Sequence, residues 1–314
     1  MKCMYPGLTW ALVLAVLAAS AERAVAEPTL PAGDKRQFIA RFVDAENAAF
    51  EQPDVANGPW SKLTPRKVIL LPQNITTPSK LQISVEEVDV RVVHNGTWIG
   101  IAVSWQDDAL DQSTASKVFC DALAVGFPKG GLTETSPFMG GHGAGMEINH
   151  WKALWQRDID QGYQEVTDLY PNTVADEYVG YRSEHLPDSN PASSAGMAEV
   201  MATPEGREGL PAVAIGNPMS QIHRESPVEQ AIAEGFGTLS TQKQQDARAR
   251  GAYEDGRWTV VITRPLDTGD SADALLAVGE KTGINFAVWD GDEGDVSGRK
   301  SYSMFTPLLI AAKE

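Results

Sequence analysis

The fold class is decided by one stretch of the sequence, Val88-Asp89-Val90-Arg91-Val92-Val93-His94-Asn95-Gly96-Thr97-Trp98-Ile99-Gly100-Ile101-Ala102-Val103-Ser104-Trp105. Apolar side chains alternate with other residues before Asn95-Gly96 and again after it, which is the period of a half-buried strand. An Asn-Gly pair between two such runs is typical of a tight turn. The stretch therefore predicts an antiparallel β-hairpin.

The same kind of pattern recurs along the chain. A second candidate hairpin turns at Asp255-Gly256 and places Trp258, Val260 and Ile262 on one face of the following strand. Further strands are predicted at residues 67–71, 119–127, 145–155, 284–289 and 302–310. Many short strands separated by turns are typical of a sandwich. We therefore expect a mainly β fold, an antiparallel β-sandwich with a few short helices.

Two segments depart from the strand pattern. Residues 227–236 carry Val228, Ile232 and Phe236 at helical spacing, which predicts a short helix. Residues 157–225 are polar and rich in Pro, Gly, Ser and Glu, which predicts a long insertion. The insertion is expected to interrupt one domain that spans residues 27–314.

The start of the chain has the features of an export signal. Lys2 precedes an apolar run at residues 8–19, and Ala24-Val25-Ala26 is a small-x-small cleavage site. This order is the pattern of a secretory signal peptide, and the run is shorter than the roughly 20 apolar residues of a membrane span. We expect cleavage after Ala26 and a protein that works outside the cytoplasm, without a membrane span.

Charge and cysteine content exclude several classes of function. The formal net charge of -16 argues against a partner that is nucleic acid or anionic lipid. Of the two cysteines, Cys3 lies in the predicted signal peptide, so Cys120 has no partner for a disulfide or for a cysteine-based metal site. A Cys-x-x-Cys-His motif is absent from the sequence, which excludes haem attachment of the usual c type. Hydrolase and nucleotide-binding motifs are absent as well.

A glycine-rich segment between residues 137 and 155 concentrates side chains that can ligate a metal. Met139, Met146, His142 and His150 all belong to the residue types that bind haem iron or copper. Taken singly, a methionine beside aromatic residues is more often part of a core, and a single histidine is more often structural. The residues alone leave both interpretations open.

A second unusual segment lies near the C-terminus. The acidic residues between Asp290 and Asp295 lack the complete spacing of a calcium loop, so they are interpreted as a solvated turn. Lys300 follows this turn, just before the last strands, and its residue type alone favours a surface position.

In these segments the chain resembles a known family, the haem b-binding gamma subunits of periplasmic type II dimethyl sulfoxide reductase-family molybdoenzymes. That group includes the gamma subunits of ethylbenzene dehydrogenase, dimethylsulfide dehydrogenase, selenate reductase and chlorate reductase, with relatives in nitrite oxidoreductases. The resemblance is carried by the order and number of several segments: His94-Asn95-Gly96 with residues 99–107, residues 119–128, Pro137-Phe138-Met139-Gly140, His150-Trp151-Lys152-Ala153, and residues 226–229, 233–239, 255–266 and 286–300.

The resemblance implies one b-type haem held without covalent links, with Met139 and Lys300 as the axial ligands of its iron. Met146, His142 and His150 remain rival ligands, and Lys281 is a weaker rival for the lysine. The resemblance also implies a non-catalytic electron-transfer subunit. Its partners would be a molybdopterin catalytic subunit and an iron–sulfur subunit, and it would relay electrons to or from a soluble c-type cytochrome.

Another class of function is consistent with the same fold. A secreted β-sandwich could be a carbohydrate-type binding module with no redox role, since fold does not determine function. Stacking faces for sugars would then come from tryptophans, for which the candidates are Trp98, Trp105, Trp151, Trp155 and Trp258. Most of these tryptophans alternate with apolar neighbours, which favours positions in the core. A colourless protein that binds glycans and no haem would support the binding-module hypothesis.

Overall fold

The computed structural model describes residues 37–130, 132, 134–164, 166–172, 211–221 and 224–313. The predicted signal peptide and most of the predicted insertion, residues 173–210, lie outside these ranges. No helix in the described ranges is long and apolar enough to cross a membrane.

Fourteen strands are found in the described part of the chain. They are β1 (Phe38–Phe42), β2 (Arg66–Ile69), β3 (Leu71–Pro72), β4 (Glu87–His94), β5 (Trp98–Gln106), β6 (Ala122–Pro128), β7 (Met146–Lys152), β8 (Val228–Ala233), β9 (Ser240–Thr241), β10 (Arg248–Glu254), β11 (Arg257–Pro265), β12 (Lys281–Trp289), β13 (Ser301–Tyr302) and β14 (Thr306–Ile310). The helices of the same ranges are short: α1 (Ala48–Glu51), α2 (Ala153–Gln161), α3 (Val166–Leu169), α4 (Pro211–Ala214) and a 3-10 turn at Pro218–Ser220.

The strands hydrogen-bond in the order β10-β11-β5-β4-β1-β14-β12-β6-β7-β8-β9. Neighbours along this order pair in antiparallel fashion except at β1, which runs parallel to both β14 and β4. The mainly β fold with short helices is confirmed. The parallel pairings of β1 were not predicted, because sequence alternation marks a strand but does not tell its direction.

Contacts between distant strands show that the sheet is folded into two facing layers. Trp151 on β7 packs edge-on against Trp105 on β5 and Trp258 on β11, with ring centroids 6.5 and 4.9 Å apart. These strands lie in opposite halves of the strand order, so their inner faces share one core. This arrangement is the sandwich expected from the sequence, and β1 and β14 connect its layers.

Both predicted hairpins form. Asn95 caps the first turn, where its Oδ1 accepts hydrogen bonds from the backbone N–H of Thr97 and of Trp98 at 3.0 and 2.8 Å. In the second turn Asp255 and Gly256 have φ of 50° and 71°, the left-handed values that a two-residue hairpin turn requires. β4 therefore pairs with β5, and β10 with β11.

The helix predicted at residues 227–236 is wrong, because this segment contains strand β8, paired with β7 and β9. Val228 and Ile232 are four residues apart, and an even spacing places two side chains on one face of a strand as well as of a helix. The strand predicted at residues 145–155 also ends early. The chain turns into α2 after Lys152, and Trp155 and Gln156 are buried on that helix.

Candidate haem-binding cavity

Several of the candidate ligands lie in one cavity on the outer face of one layer. The cavity has a volume of about 770 Å³. Its lining includes Ala124 and Gly126 on β6, Met146, Ile148 and His150 on β7, and Asn285, Ala287 and Trp289 on β12, together with residues of four loops. The alternate positions Leu123, Val125 and Phe127 on β6 and Trp151 on β7 point into the core between the layers instead.

The floor of this cavity is made by small residues. On β6 the outward positions are Ala122, Ala124 and Gly126, whereas bulky side chains occupy the inward ones. A β-carbon at Gly126 would lie 2.3 Å from Met146 Cε and 2.3 Å from Asn285 Oδ1. The missing side chain therefore lets Met146 and Asn285 lie directly over the strand. This alternation of small and large residues is the sequence signal that could have located the cavity.

Two loops build one wall of the cavity. Residues 73–78 and 296–300 pack so closely that a β-carbon at Gly298 would lie 2.5 Å from Thr76 Cγ2. The backbone N–H of Gln73 donates a 3.0 Å hydrogen bond to the carbonyl of Lys300. Lys80 and Asp295, both buried, form an ion pair that joins the two loops at their far ends. These contacts fix the backbone that carries Lys300.

Lys300 is not the surface residue that its type suggests. Its side chain is half-buried and lines the cavity, and its Nζ lies 4.8 Å from the centre of the Trp289 ring. Burial lowers the pKa of this amine to about 8, because the charged form loses its hydration. The described residues supply no carboxylate to restore the charge. A substantial neutral fraction near pH 8 gives the amine a lone pair for a metal.

Met139 reaches the same cavity from a strained turn. Its φ of 68° lies in the left-handed region that residues other than glycine rarely adopt. Its carbonyl accepts a 2.8 Å hydrogen bond from the N–H of Gly235, and a β-carbon at Gly140 would lie only 2.8 Å from the carbonyl oxygen of Ala233. The turn is thus pressed against the end of β8, which holds the thioether at the cavity.

His150 lines the cavity as well, with an unusual environment. Its buried Nε2 has no hydrogen-bond partner in the described part of the chain. Its ring is stacked on Trp289. Burial, followed by the positive charges of Lys152 and Lys300, lowers the pKa of His150 well below its usual 6.5. The imidazole is therefore neutral at pH 7 and keeps a lone pair, so His150 remains a rival ligand.

The other candidate ligands differ in whether they line the cavity. Met146 is 4% exposed and lines the cavity, so it remains a rival for the thioether ligand. His142 is exposed and does not line the cavity, and neither does Lys281, which is exposed at the start of β12. Among the residues singled out from the sequence, the structure brings Met139, Met146, His150 and Lys300 together.

The cavity fits a haem on chemical grounds. Its volume lies within the range of roughly 300–1,000 Å³ that is common for cofactor sites. Most of its lining side chains are apolar, and its donor atoms are two thioether sulfurs, an imidazole and an amine, all of which ligate haem iron or comparable metals. Cys120 does not line it, so the described lining contains no thiol for a covalent link.

The tryptophans proposed as sugar-stacking faces are unsuited to that role. Each is at least nine-tenths buried, with exposed fractions of 8% for Trp98, 1% for Trp105, 0% for Trp151, 4% for Trp155 and 1% for Trp258. A stacking platform requires an exposed ring face. The sequence feature on which the binding-module hypothesis rested therefore belongs to the packing of the protein.

The acidic turn is also more buried than expected. Asp292 and Glu293 are exposed, as a solvated turn requires, but Asp290 and Asp295 are 9% and 1% exposed. Asp295 is held by Lys80, and the carboxylate of Asp290 lies within 4.8 Å of those of Asp107 and Asp121. The interpretation as a fully solvated turn is wrong, since long-range packing draws two of its carboxylates inward.

Fold and site together define a β-sandwich protein with a cofactor-sized cavity lined by soft and nitrogen ligands. The family model for ethylbenzene dehydrogenase matches residues 57–301 of this chain. The chain belongs to this family, which confirms the sequence resemblance to gamma subunits of type II dimethyl sulfoxide reductase-family enzymes.

Individual relatives agree with the family match. A protein of Haloferax mediterranei described as a respiratory nitrate reductase heme subunit is 29% identical over 111 residues, 34% of this chain and 40% of that protein. The chlorate reductase subunit gamma of Ideonella dechloratans is 33% identical over 73 residues, 23% of this chain and 30% of that protein. The chain thus spans two fifths or less of the length of these relatives.

Among solved structures, a carbohydrate-binding module of family 9 from Caldicellulosiruptor kristjanssonii in complex with cellotriose aligns with a TM-score of 0.38 and 6% identity. The alignment covers 88% of this chain and 95% of that structure.

Proposed function

We propose that this chain is an electron-transfer subunit that binds one b-type haem noncovalently, with Met139 and Lys300 as the axial ligands. The observation that carries the proposal is the shared cavity, which is lined by both side chains although they are 161 positions apart in the sequence. When bound, a b-type haem supplies one-electron redox chemistry. The electron-transfer role is supported by a relative that is named a heme subunit.

The two side chains have complementary roles. The Met139 thioether is soft and uncharged, so it favours the reduced state of an iron centre and raises its potential. Lys300 must lose its proton to act as a ligand, and its desolvated position lowers the cost of that loss. With Met139 and Lys300 both bound to the iron, no coordination position would remain for substrate. The subunit is therefore non-catalytic and transfers electrons one at a time.

We also propose a setting for the subunit, which the named relatives support. Its partners are a molybdopterin catalytic subunit and an iron–sulfur subunit, and a soluble c-type cytochrome exchanges electrons with it. The support is that one matched relative is named as a subunit of chlorate reductase and another as a subunit of nitrate reductase. The complex works in the periplasm after the signal peptide is cleaved following Ala26. An intact-mass measurement of the protein from a periplasmic extract tests export, since it should begin at Glu27.

Haem reconstitution tests the ligand assignment. The purified protein should take up one equivalent of haem, a pyridine haemochrome assay should identify it as type b, and the visible spectrum should be low-spin. Met139→Ala and Lys300→Ala should each convert the spectrum to high-spin or abolish haem uptake. His142→Ala is the matched control, since this exposed histidine lies outside the cavity.

Two outcomes would contradict the assignment in different ways. If wild-type protein takes up no haem, the proposed function itself fails. If haem binds but both ligand variants keep the wild-type spectrum and potential while Met146→Ala or His150→Ala changes them, the cavity is right and the ligands are wrong.

A further inference from the structure

We propose that Arg299 binds a carboxylate of the ligand in this cavity, namely a propionate of the haem. The inference rests on the proposed haem binding and adds the recognition of the charged edge of the cofactor. Arg299 precedes Lys300 in the chain, and both residues line the cavity. The two neighbours would then hold the same ligand in different ways, one through its metal and one through its anionic substituent.

The guanidinium of Arg299 lacks a partner within the described residues. Its Nε is buried and makes no hydrogen bond, and no carboxylate of those residues forms an ion pair with the side chain. Arg299 is only partly buried, so its charge is not isolated from water, but its buried Nε donor is left without an acceptor. A carboxylate oxygen is the acceptor that best matches such a donor.

The cavity itself identifies where that anion comes from. Its lining contains neither aspartate nor glutamate among the described residues, and Arg299 is the one lining side chain that is charged irrespective of pH. His150 and Lys300 are the only other basic side chains in the described lining. An anionic group on the ligand would thus meet no carboxylate in this lining, and Arg299 offers it a guanidinium whose Nε is unpaired.

The backbone around Arg299 is held firmly enough to aim the side chain. Its own N–H donates a 2.9 Å hydrogen bond to the carbonyl of Val296, closing a tight turn. On either side, Gly298 is pressed against Thr76, and the carbonyl of Lys300 accepts the hydrogen bond from Gln73. A guanidinium presents parallel N–H donors that match the two oxygens of a carboxylate. A fixed turn and a planar donor group favour a carboxylate at a defined position.

The test compares haem with its dimethyl ester, in which both propionates are esterified and uncharged. Wild-type protein should bind haem at least about tenfold more tightly than the ester, a factor that corresponds to about 1.4 kcal/mol. Arg299→Gln should remove most of this preference by weakening haem alone, with binding of the ester unchanged. Arg41→Gln is the matched control, since Arg41 is exposed and does not line the cavity.

Each alternative outcome has a separate meaning. Equal weakening of haem and ester by Arg299→Gln, with an unchanged thermal unfolding midpoint, would overturn the carboxylate contact while leaving haem binding intact. A second contrary outcome is that wild-type protein shows no preference for haem over the ester, and that inorganic phosphate competes with the ester in wild-type protein but not in Arg299→Gln. This outcome would assign Arg299 to the binding of a free anion and would also overturn the proposal. A wild-type protein that binds neither porphyrin would refute the proposed function and this inference together.

Discussion

His150 stacks on Trp289, with ring centroids 4.7 Å apart and ring planes inclined by 28°. The same indole lies 4.8 Å from Lys300 Nζ, and its Nε1 donates a 3.0 Å hydrogen bond to the carbonyl of Ser297. Trp289 therefore positions two nitrogen donors of the cavity and also holds the turn that precedes Lys300. Because His150 and Lys300 both contact Trp289, variants that remove one donor at a time are needed to identify which of them binds the haem iron.

His150→Phe is one such variant, because phenylalanine keeps a flat ring for stacking and lacks a lone pair. If Lys300 is the ligand, we expect this variant to keep a low-spin haem spectrum and to change haem affinity by less than about threefold. Lys300→Leu, which has no donor atom, should weaken binding by at least about tenfold, the equivalent of about 1.4 kcal/mol. Haem titrations followed in the visible region measure both effects. A high-spin spectrum in His150→Phe with a normal one in Lys300→Leu would exchange the two roles.

Filling the cavity floor should reduce haem binding without unfolding the protein. In Gly126→Ala the new β-carbon would lie 2.3 Å from both Met146 Cε and Asn285 Oδ1, so these side chains must move into the cavity. We expect haem affinity to fall by about tenfold and the free energy of unfolding to fall by about 1–3 kcal/mol, as is typical of overpacking. Haem titration and urea denaturation measure the two quantities.

The control for this prediction is Gly141→Ala. A β-carbon at Gly141 would meet no atom within 4 Å, and its φ is not in the left-handed region. Haem affinity and stability should therefore stay close to the wild-type values. Equal haem affinity in Gly126→Ala and Gly141→Ala would show that the cofactor does not occupy the floor over β6.

The fold was largely predictable because its signals are local. Alternation and Asn-Gly or Asp-Gly turns gave both hairpins, and the corresponding strands lie within a few residues of the prediction. The wrong helix at residues 227–236 shows the limit of this approach, since the even spacing of Val228 and Ile232 is compatible with either structure. The parallel pairings of β1 join distant positions, since Phe38 pairs with Leu308 on β14 and Arg41 pairs with Val93 on β4.

The cavity was less predictable than the fold. The sequence marked Met139, Met146 and His150 as a dense cluster, yet Lys300 had only the resemblance to distinguish it from a surface lysine. Its burial arises from loop packing between residues 73–78 and 296–300, which no short-range pattern encodes. The sequence did not indicate Arg299 for the same reason, because an unpaired buried donor can be recognised only when its neighbours in the fold are known.

The buried ion pair between Lys80 and Asp295 should contribute to both stability and haem binding. Lys80→Met leaves the Asp295 carboxylate buried without its cation, so we expect the free energy of unfolding to fall by about 3–5 kcal/mol. The double variant Lys80→Met/Asp295→Asn should regain a large part of this loss. Urea denaturation of the single and double variants measures the coupling.

An exposed ion pair serves as the comparison. Lys67 and Glu87 also form a salt bridge, but their side chains are 64% and 43% exposed, so Lys67→Met should have little effect on stability. Lys80→Met should in addition weaken haem binding, because the pair joins the loops that carry Gln73 and Lys300. Unchanged haem affinity in a folded Lys80→Met protein would show that these loops hold Lys300 without the ion pair.

The buried carboxylates of Asp107, Asp121 and Asp290 should make stability depend on pH. Burial is the main cause that raises the pKa of Asp121 to about 7 and that of Asp290 to about 6, and it raises the pKa of Asp107 as well. Hydrogen bonds from Trp258 Nε1 and from the backbone N–H of Gly291 to Asp121 oppose this rise only in part.

The direction in which stability changes with pH follows from the number of protons that these carboxylates bind in the folded and unfolded states. Between about pH 4 and 7 the folded protein holds more protons on these groups than the unfolded chain, whose aspartates titrate near 3.8. Their contribution to stability is therefore complete below about pH 4 and is lost as the pH rises to about 7. For Asp121 alone the loss amounts to roughly 4 kcal/mol at most, since each unit of pKa shift corresponds to about 1.36 kcal/mol.

Asp121→Asn isolates this effect from other titrating groups. The amide oxygen can still accept hydrogen bonds but carries no charge, so the variant lacks the pH-dependent contribution of Asp121. The free energy of unfolding of the variant minus that of wild type should therefore increase as the pH rises from about 4 to about 8. Histidines with lowered pKa values, such as His94 and His150, produce the opposite slope in both proteins and cancel in the difference. The measurement is urea denaturation at pH 5, 6, 7 and 8, with Asp44→Asn, an exposed carboxylate, as the control. A constant stability difference between Asp121→Asn and wild type across this range would mean that Asp121 is ionised in the folded protein throughout, and hence that its neighbours do compensate its charge.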